Sequence, residues 1–210
     1  MTHPILYSFR RCPYAMRARL AIASSGIRVE LREIILRDKA PEFLEISPAA
    51  TVPCLKINNR VIDESLHIMA WALGKNDPEN LMQMPTEGYS LMSECDGAFK
   101  QALDRYKYPN RYPEIDPIEN RKIASQFIFR LEDRLNGNLY DHRPKLADMA
   151  ILPFVRQFAH VDLDWFTAQP WDKTKFWLQQ FKESERFSLI MGKYEKWENG
   201  NAPIYFPTEL

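Results

Sequence analysis

The sequence predicts a two-part protein, with an α/β domain over residues 1–75, a linker over 76–84 and an all-helical domain over 85–210. The first segment alternates short apolar, β-branched runs with helical patterns in the order β-α-β, α, β-β-α. Asn76-Asp77-Pro78-Glu79-Asn80 is polar and turn-prone, the character of a linker. Beyond Pro85 apolar residues recur at three- and four-residue intervals, the signature of amphipathic helices. A chain of 210 residues fits one large or two small domains, and a hydrophobic content of 45% is enough for a proper core.

Residues 5–9 form a short apolar strand, followed by Arg10, Arg11, Cys12 and Pro13 and then an alanine-rich helical pattern. Proline suits the first helical position because its missing N–H has no intrahelical partner there. Cys12 then falls at the N-cap, where unpaired backbone N–H groups and the helix dipole favour negative charge. With two arginines adjacent, the thiol is expected to ionise readily; such settings lower a cysteine pKa from about 8.5 to roughly 3.5–7.5. Cys12 is therefore the candidate nucleophile, the alternative being a small buried core residue. Ala15 stands where a C-x-x-C motif would carry its second cysteine. A mixed disulfide with a small external thiol is then the natural intermediate.

Gly26 suits the left-handed position that ends this helix. Residues 28–35 read as a second strand, parallel to the first because a helix connects them. Residues 37–40 are a polar loop, 41–46 a short helix and 47–51 a turn. Residues 52–57 and 60–62 form a hairpin around Asn58-Asn59, since asparagine tolerates positive φ. Pro53 stands at the start of its first strand, where proline is permitted. A helix over 65–74 is expected to bury Leu66, Met69 and Leu73.

Three segments resemble the thioredoxin-like domain of the glutathione transferases: Tyr7-Ser8-Phe9-x-x-Cys12-Pro13-Tyr14-Ala15, Ser47-Pro48-x-Ala50-x-Val52-Pro53 and Ile62-x-Glu64-Ser65. The cysteine at position 12 resembles the omega-like, glutaredoxin-like branch, of bacterial type, where other classes carry tyrosine or serine. The resemblance implies the transferase fold and glutathione as co-substrate. It implies a cis bond at Pro53, with the Val52 backbone facing the cysteinyl part of the tripeptide. Glu64 and Ser65 would receive the γ-glutamyl end, and Lys39 the glycyl carboxylate. Each also has an ordinary reading: Ser65 as a helix cap, Lys39 as a surface charge, Val-Pro as a plain turn. The turn departs from the family pattern, carrying Ala50 and Thr51 where glycine and lysine are usual.

In the second part, Met92, Cys95, Phe99, Leu103 and Tyr106 mark a long helix, broken at Tyr108-Pro109 and Tyr112-Pro113. A second runs from Pro117 through Ala124, Ile128, Leu131 and Leu135. Residues 146–155 are the most apolar stretch and should form the central buried helix, kinked at Pro153. Asp148 can reach back to the N-cap N–H, but Lys145 cannot return the bond, so half a capping box is expected and Asp148 reads as structural. Helices over 172–183 and 185–192 are expected to finish the bundle. Tyr106, Tyr108, Tyr112, Trp165 and Phe166 are candidates for the wall of a second-substrate pocket, although aromatic stripes are mostly core.

Lysine plus arginine equals aspartate plus glutamate at 28 each, so no charge imbalance argues for nucleic acid or membrane surfaces. Cysteines 12, 54 and 95 are odd in number and widely spaced, a poor disulfide framework. No signal peptide or bilayer-length apolar run is visible, which makes a soluble cytoplasmic protein the expectation. His67, His142 and His160 show no metal-ligand spacing, so no metal is expected. The leading function is a glutathione-dependent thiol transferase or dehydroascorbate-reductase-like enzyme acting through Cys12 on a small electrophile or disulfide. The resemblance also implies a homodimer. The alternative is a non-catalytic transferase-like protein that binds a protein partner. An iron–sulfur carrier would explain the single cysteine but not the helical second half.

Overall fold

The computed structural model describes residues 3–47 and 49–208. The chain divides into two compact units: residues through Asn80 with the segment from Ser184 onward, and Leu81–Glu183.

The first unit opens with β1 (Ile5–Ser8), α1 (Pro13–Ser25) and β2 (Val29–Glu33). β1 and β2 are parallel, Ile5 opposite Glu30 and Ser8 opposite Glu33, as the crossover helix requires. Gly26 ends α1 at φ 68°. α2 (Pro41–Ile46) follows, then the hairpin of β3 (Cys54–Ile57) and β4 (Arg60–Ile62), with Asn58 at φ 52°. With β5 (Tyr205–Phe206) the five strands lie in the order β4-β3-β1-β2-β5. The expected turn at 47–51 includes Pro48, which lies outside the described residues; Ala50 there has φ 51°.

Two readings need correction here. β2 stops at Glu33 instead of running to residue 35, because Ile35 bridges to Asp38 in a tight turn. α3 (Ser65–Leu73) buries Ser65, Ile68, Met69, Ala72 and Leu73, while Leu66 is only half-buried. With Ser65 as the first helical residue, the 65-68-69-72 stripe faces α1 and Leu66 sits about 100° around the helix.

The second unit is helical: α4 (Thr86–Glu94), α5 (Lys100–Lys107), α6 (Pro117–Arg134), α7 (Leu146–Ala159), α8 (Leu163–Thr167) and α9 (Asp172–Glu183). The long helix expected through residues 92–106 buries all five marked side chains. It is not continuous, because a π-helical turn at Cys95–Phe99, with Gly97 at φ −89° and ψ −106°, separates α4 from α5. Glycine permits that backbone where a side chain would resist it. α7 is buried over most of its length and runs through Pro153. Phe158 anchors the aromatic core, its ring centroid 5.7–6.3 Å from Phe99, Tyr106, Trp165, Phe166 and Trp171. The half-box is present, with the Lys145 N–H donating to Asp148 at 2.8 Å. Asp148 also accepts from the Leu139 N–H at 3.0 Å and Trp177 Nε1–H at 3.1 Å.

The end of the chain does not complete the bundle. α10 (Glu185–Ile190) packs on α1, and β5 runs antiparallel to β2, Val29 opposite Phe206. A two-residue strand has no periodicity to read, so its place is decided only by the open edge of β2.

Candidate active site

Cys12 stands at the seam between β1 and α1. It is the N-cap of α1, with Pro13 in the first turn, and its extended backbone (φ −76°, ψ 123°) admits the chain from the strand. The Cys12 N–H donates to the Phe9 carbonyl at 2.9 Å, closing the connecting loop. The thiol is half-buried and lies 3.6 Å from the Val52 carbonyl oxygen. Val52 precedes Pro53 through a cis peptide bond, and both are buried. Two segments forty residues apart in sequence thus meet at one sulfur.

The other thiols are fully buried. Burial pushes Cys54 up to about 11, with the charge of Asp63 adding to it. A protonated, enclosed thiol is a poor nucleophile. Cys12 is therefore the accessible sulfur.

Glu64 is the N-cap of α3 and is exposed, whereas Ser65 is its first helical residue and is buried. The Ser65 hydroxyl accepts from the guanidinium of Arg17 at 3.5 Å. Arg17 is 0% exposed, so a positive charge lies just behind the opening turn of α3. A helix N-terminus backed by a cation suits a carboxylate. Lys39 is half-buried on the loop between β2 and α2, and no hydrogen bond among the described residues links it to the other candidates.

Sequence reasoning missed three residues. Arg17 and Arg19 are fully buried on α1, where a charged residue reads as solvent-facing. Glu33 accepts the Arg10 N–H at 2.7 Å and pairs with Arg19. One signal was present: Val29, Leu31 and Glu33 alternate onto the same, buried face of β2. Arg11 stacks its guanidinium 5.5 Å over the Phe9 ring.

In the second unit, Tyr106 and Phe166 are buried within the aromatic core. Trp165, Tyr108 and Tyr112 are half-buried. The guanidinium of Arg121 lies 4.1 Å over Trp165 and 5.7 Å from Tyr106, and that of Arg111 lies 4.4 Å over Tyr108. Among the described residues no group of three His, Cys, Asp or Glu side chains is arranged to hold a metal, and no helix is long and apolar enough to cross a membrane.

Residues 6–80 match the family model described as glutathione S-transferase, N-terminal domain. A probable glutathione S-transferase parA of Nicotiana tabacum is 38% identical over 160 residues, 73% of this chain and 72% of the relative. Glutathione S-transferase DHAR2 of Arabidopsis thaliana is 30% identical over 146 residues, 67% and 68% of the two chains. Maleylacetoacetate isomerase of Dictyostelium discoideum is 29% identical over 124 residues, 57% of this chain but only 51% of the isomerase. In three dimensions the chain is similar to a glutathione transferase family member from Pseudomonas fluorescens crystallised with two glutathione bound. The TM-score is 0.77 at 17% identity, covering 90% and 92% of the two chains. A cysteine at the first helix, a cis-proline strand before it and a helical second unit are what the relatives lead one to expect, and the chain belongs to the glutathione S-transferase family.

Proposed function

We propose that the protein is a glutathione-dependent thiol transferase of the omega-like, cysteine-bearing branch, with Cys12 as its nucleophile. One observation carries this reading: the accessible thiol sits at a helix N-cap, 3.6 Å from the carbonyl that precedes the cis proline. The N–H groups of the first turn of α1 favour the thiolate over the thiol. The relative DHAR2 lends support, since it shares the family and 30% identity.

In this reaction the Cys12 thiolate attacks the glutathione sulfur of a glutathionylated substrate. The substrate's S–S bond breaks, its thiolate leaves and takes a proton, and a Cys12–glutathione disulfide forms. The thiolate of a second glutathione attacks that disulfide at the glutathione sulfur, releasing oxidised glutathione and regenerating Cys12. The protein supplies alignment. The Val52 backbone pairs with the cysteinyl part of the tripeptide as an added strand would. Ser65, backed by Arg17, receives the γ-glutamyl carboxylate, Glu64 answers its ammonium and Lys39 the glycyl carboxylate. Tyr106, Tyr108 and Trp165 are the proposed wall for the second substrate. The enzyme acts as a cytoplasmic homodimer in this reading.

Mass spectrometry of the intact protein after mild exposure to oxidised glutathione tests the proposal. A single glutathione adduct mapped to Cys12 is expected. No adduct, together with failure to bind a glutathione column, would leave a transferase-like binding protein instead.

A further inference from the structure

Arg19, Glu33 and the segment that follows α10 form a connected set that the thiol-transfer reaction does not use directly. Arg19 is 0% exposed and Glu33 8%. Arg19 donates to the Ser8 hydroxyl at 2.8 Å and to the Ile190 carbonyl at 3.0 Å, pairs with Glu33, and lies 5.6 Å over the Tyr194 ring. Glu33 turns its carboxylate to the Arg10 N–H at 2.7 Å, inside the loop that ends at Cys12. Its carbonyl accepts the Trp197 N–H at 2.9 Å. Trp197 then inserts its ring beside Tyr7, with centroids 6.0 Å apart, and the Arg32 guanidinium covers it at 4.0 Å. Tyr7, Phe43, Val52, Cys54 and Trp197 belong to one buried cluster, against which Phe9 and Cys12 pack. Lys196 pairs with Asp38, and the Leu31 N–H donates to the Ile204 carbonyl at 2.7 Å.

We propose that Trp197 and Glu33 are positioning residues for Cys12. The segment after α10 holds the end of β2, from which Glu33 fixes the loop carrying the thiol. The physical reason is the shortness of that loop. Residues 9–12 have one internal hydrogen bond, from the Cys12 N–H to the Phe9 carbonyl, so the external anchor at Arg10 decides where Cys12 stands. That anchor is a carboxylate whose own backbone is tied to the final segment and whose charge is balanced by Arg19. Trp197 closes the arrangement by filling the apolar space under both Val52 and Cys12. The importance of this positioning for turnover rests on Cys12 being the nucleophile, but the mechanical claim does not.

Native-state hydrogen exchange separates the two. In Trp197→Ala the amides of Arg10 and Cys12 are expected to lose about tenfold or more of their protection. Trp197→Phe should restore most of it. Val29→Ala, a cavity at the far end of the same strand, should lower the melting temperature comparably and leave both amides protected. Thiol-transfer turnover should fall about tenfold in Trp197→Ala, since small misplacements of a reacting group are costly. Unchanged protection in Trp197→Ala, or equal loss in Val29→Ala, overturns the proposal. If Trp197→Ala does not fold, the unmodified protein decides. The Arg10 and Trp197 amides should then exchange through one shared opening with the same denaturant dependence, and two separate openings would refute it. A missing glutathione adduct at Cys12 would instead refute the enzymatic reading and leave the exchange result standing.

Discussion

The two units bury charge in opposite ways. In the first, Arg19 and Glu33 are a cation and an anion side by side, and the pair also holds backbone at Arg10 and Ile190. In the second, Asp148 has three N–H donors around its carboxylate, two from backbone and one from Trp177. A buried ion pair adds little net stability over a packed apolar pair, whereas breaking one is expensive. A carboxylate bound by N–H groups organises the chain around it and costs its desolvation. The first arrangement fixes a loop beside a candidate nucleophile, the second a helix start far from any reactive group in sequence. Burying charge is thus a local solution to a local problem, and only one of these two problems concerns chemistry.

Four changes break or sharpen that contrast. Cys12→Ser should lower thiol-transfer turnover by about a thousandfold or more, measured with a glutathionylated peptide, because the nucleophile itself is removed. Unfolding free energy should hardly move, since the site is half-buried.

Arg19→Ala leaves Glu33 buried without its cation, and urea unfolding should report a loss of about 3–5 kcal/mol. The double variant Arg19→Leu with Glu33→Leu should recover part of that loss. If it recovers none, the pair contributes more than mutual neutralisation.

Asp148→Ala orphans three donors, and the expected loss is about 3 kcal/mol. Burial raises the Asp148 carboxyl from 3.8 to about 6, against the pull of the backbone N–H groups at Lys145 and Leu139. The folded state therefore holds this proton more tightly than the unfolded chain. Its contribution is fully present below about pH 4 and is lost as pH rises through about 6, a change of about 3 kcal/mol. Asp148→Asn should flatten the slope of stability between those pH values, and a slope that survives would assign it to another group.

The smallest effect is expected at Ala50, which takes φ 51° in the turn before Val52. A left-handed residue with a Cβ costs about 1–2 kcal/mol, partly offset in glycine by its larger unfolded-state entropy. Ala50→Gly should raise stability by about 0.5 kcal/mol in thermal unfolding, and a decrease would show that the Cβ makes a favourable contact.

The legible parts of the site were those built from consecutive residues. Cys12 followed by Pro13 named its own N-cap, and Val52-Pro53 its own turn, because both follow from local backbone chemistry. The hairpin at Asn58 and the half-box at Asp148 were equally local. Arg17, by contrast, reads as an exposed position on an amphipathic helix until α3 covers it and Ser65 meets it. Leu66 was misplaced by a similar route, since the facing of a nine-residue helix depends on where its first turn starts.

By itself, then, the sequence determined the order of strands and helices, the division into α/β and helical parts, and the place of the reactive sulfur. Each of these depends on residues within a few positions of one another, where sterics and periodicity act. Tertiary structure alone decided that the 3.6 Å meeting of Cys12 with Val52 would form, and that two arginines would be enclosed in the first unit. It also decided that the final segment would leave the helical pattern to complete the sheet at β2. Those outcomes depend on surfaces that exist only once distant segments have packed, and no local pattern of residues encodes an unfilled strand edge.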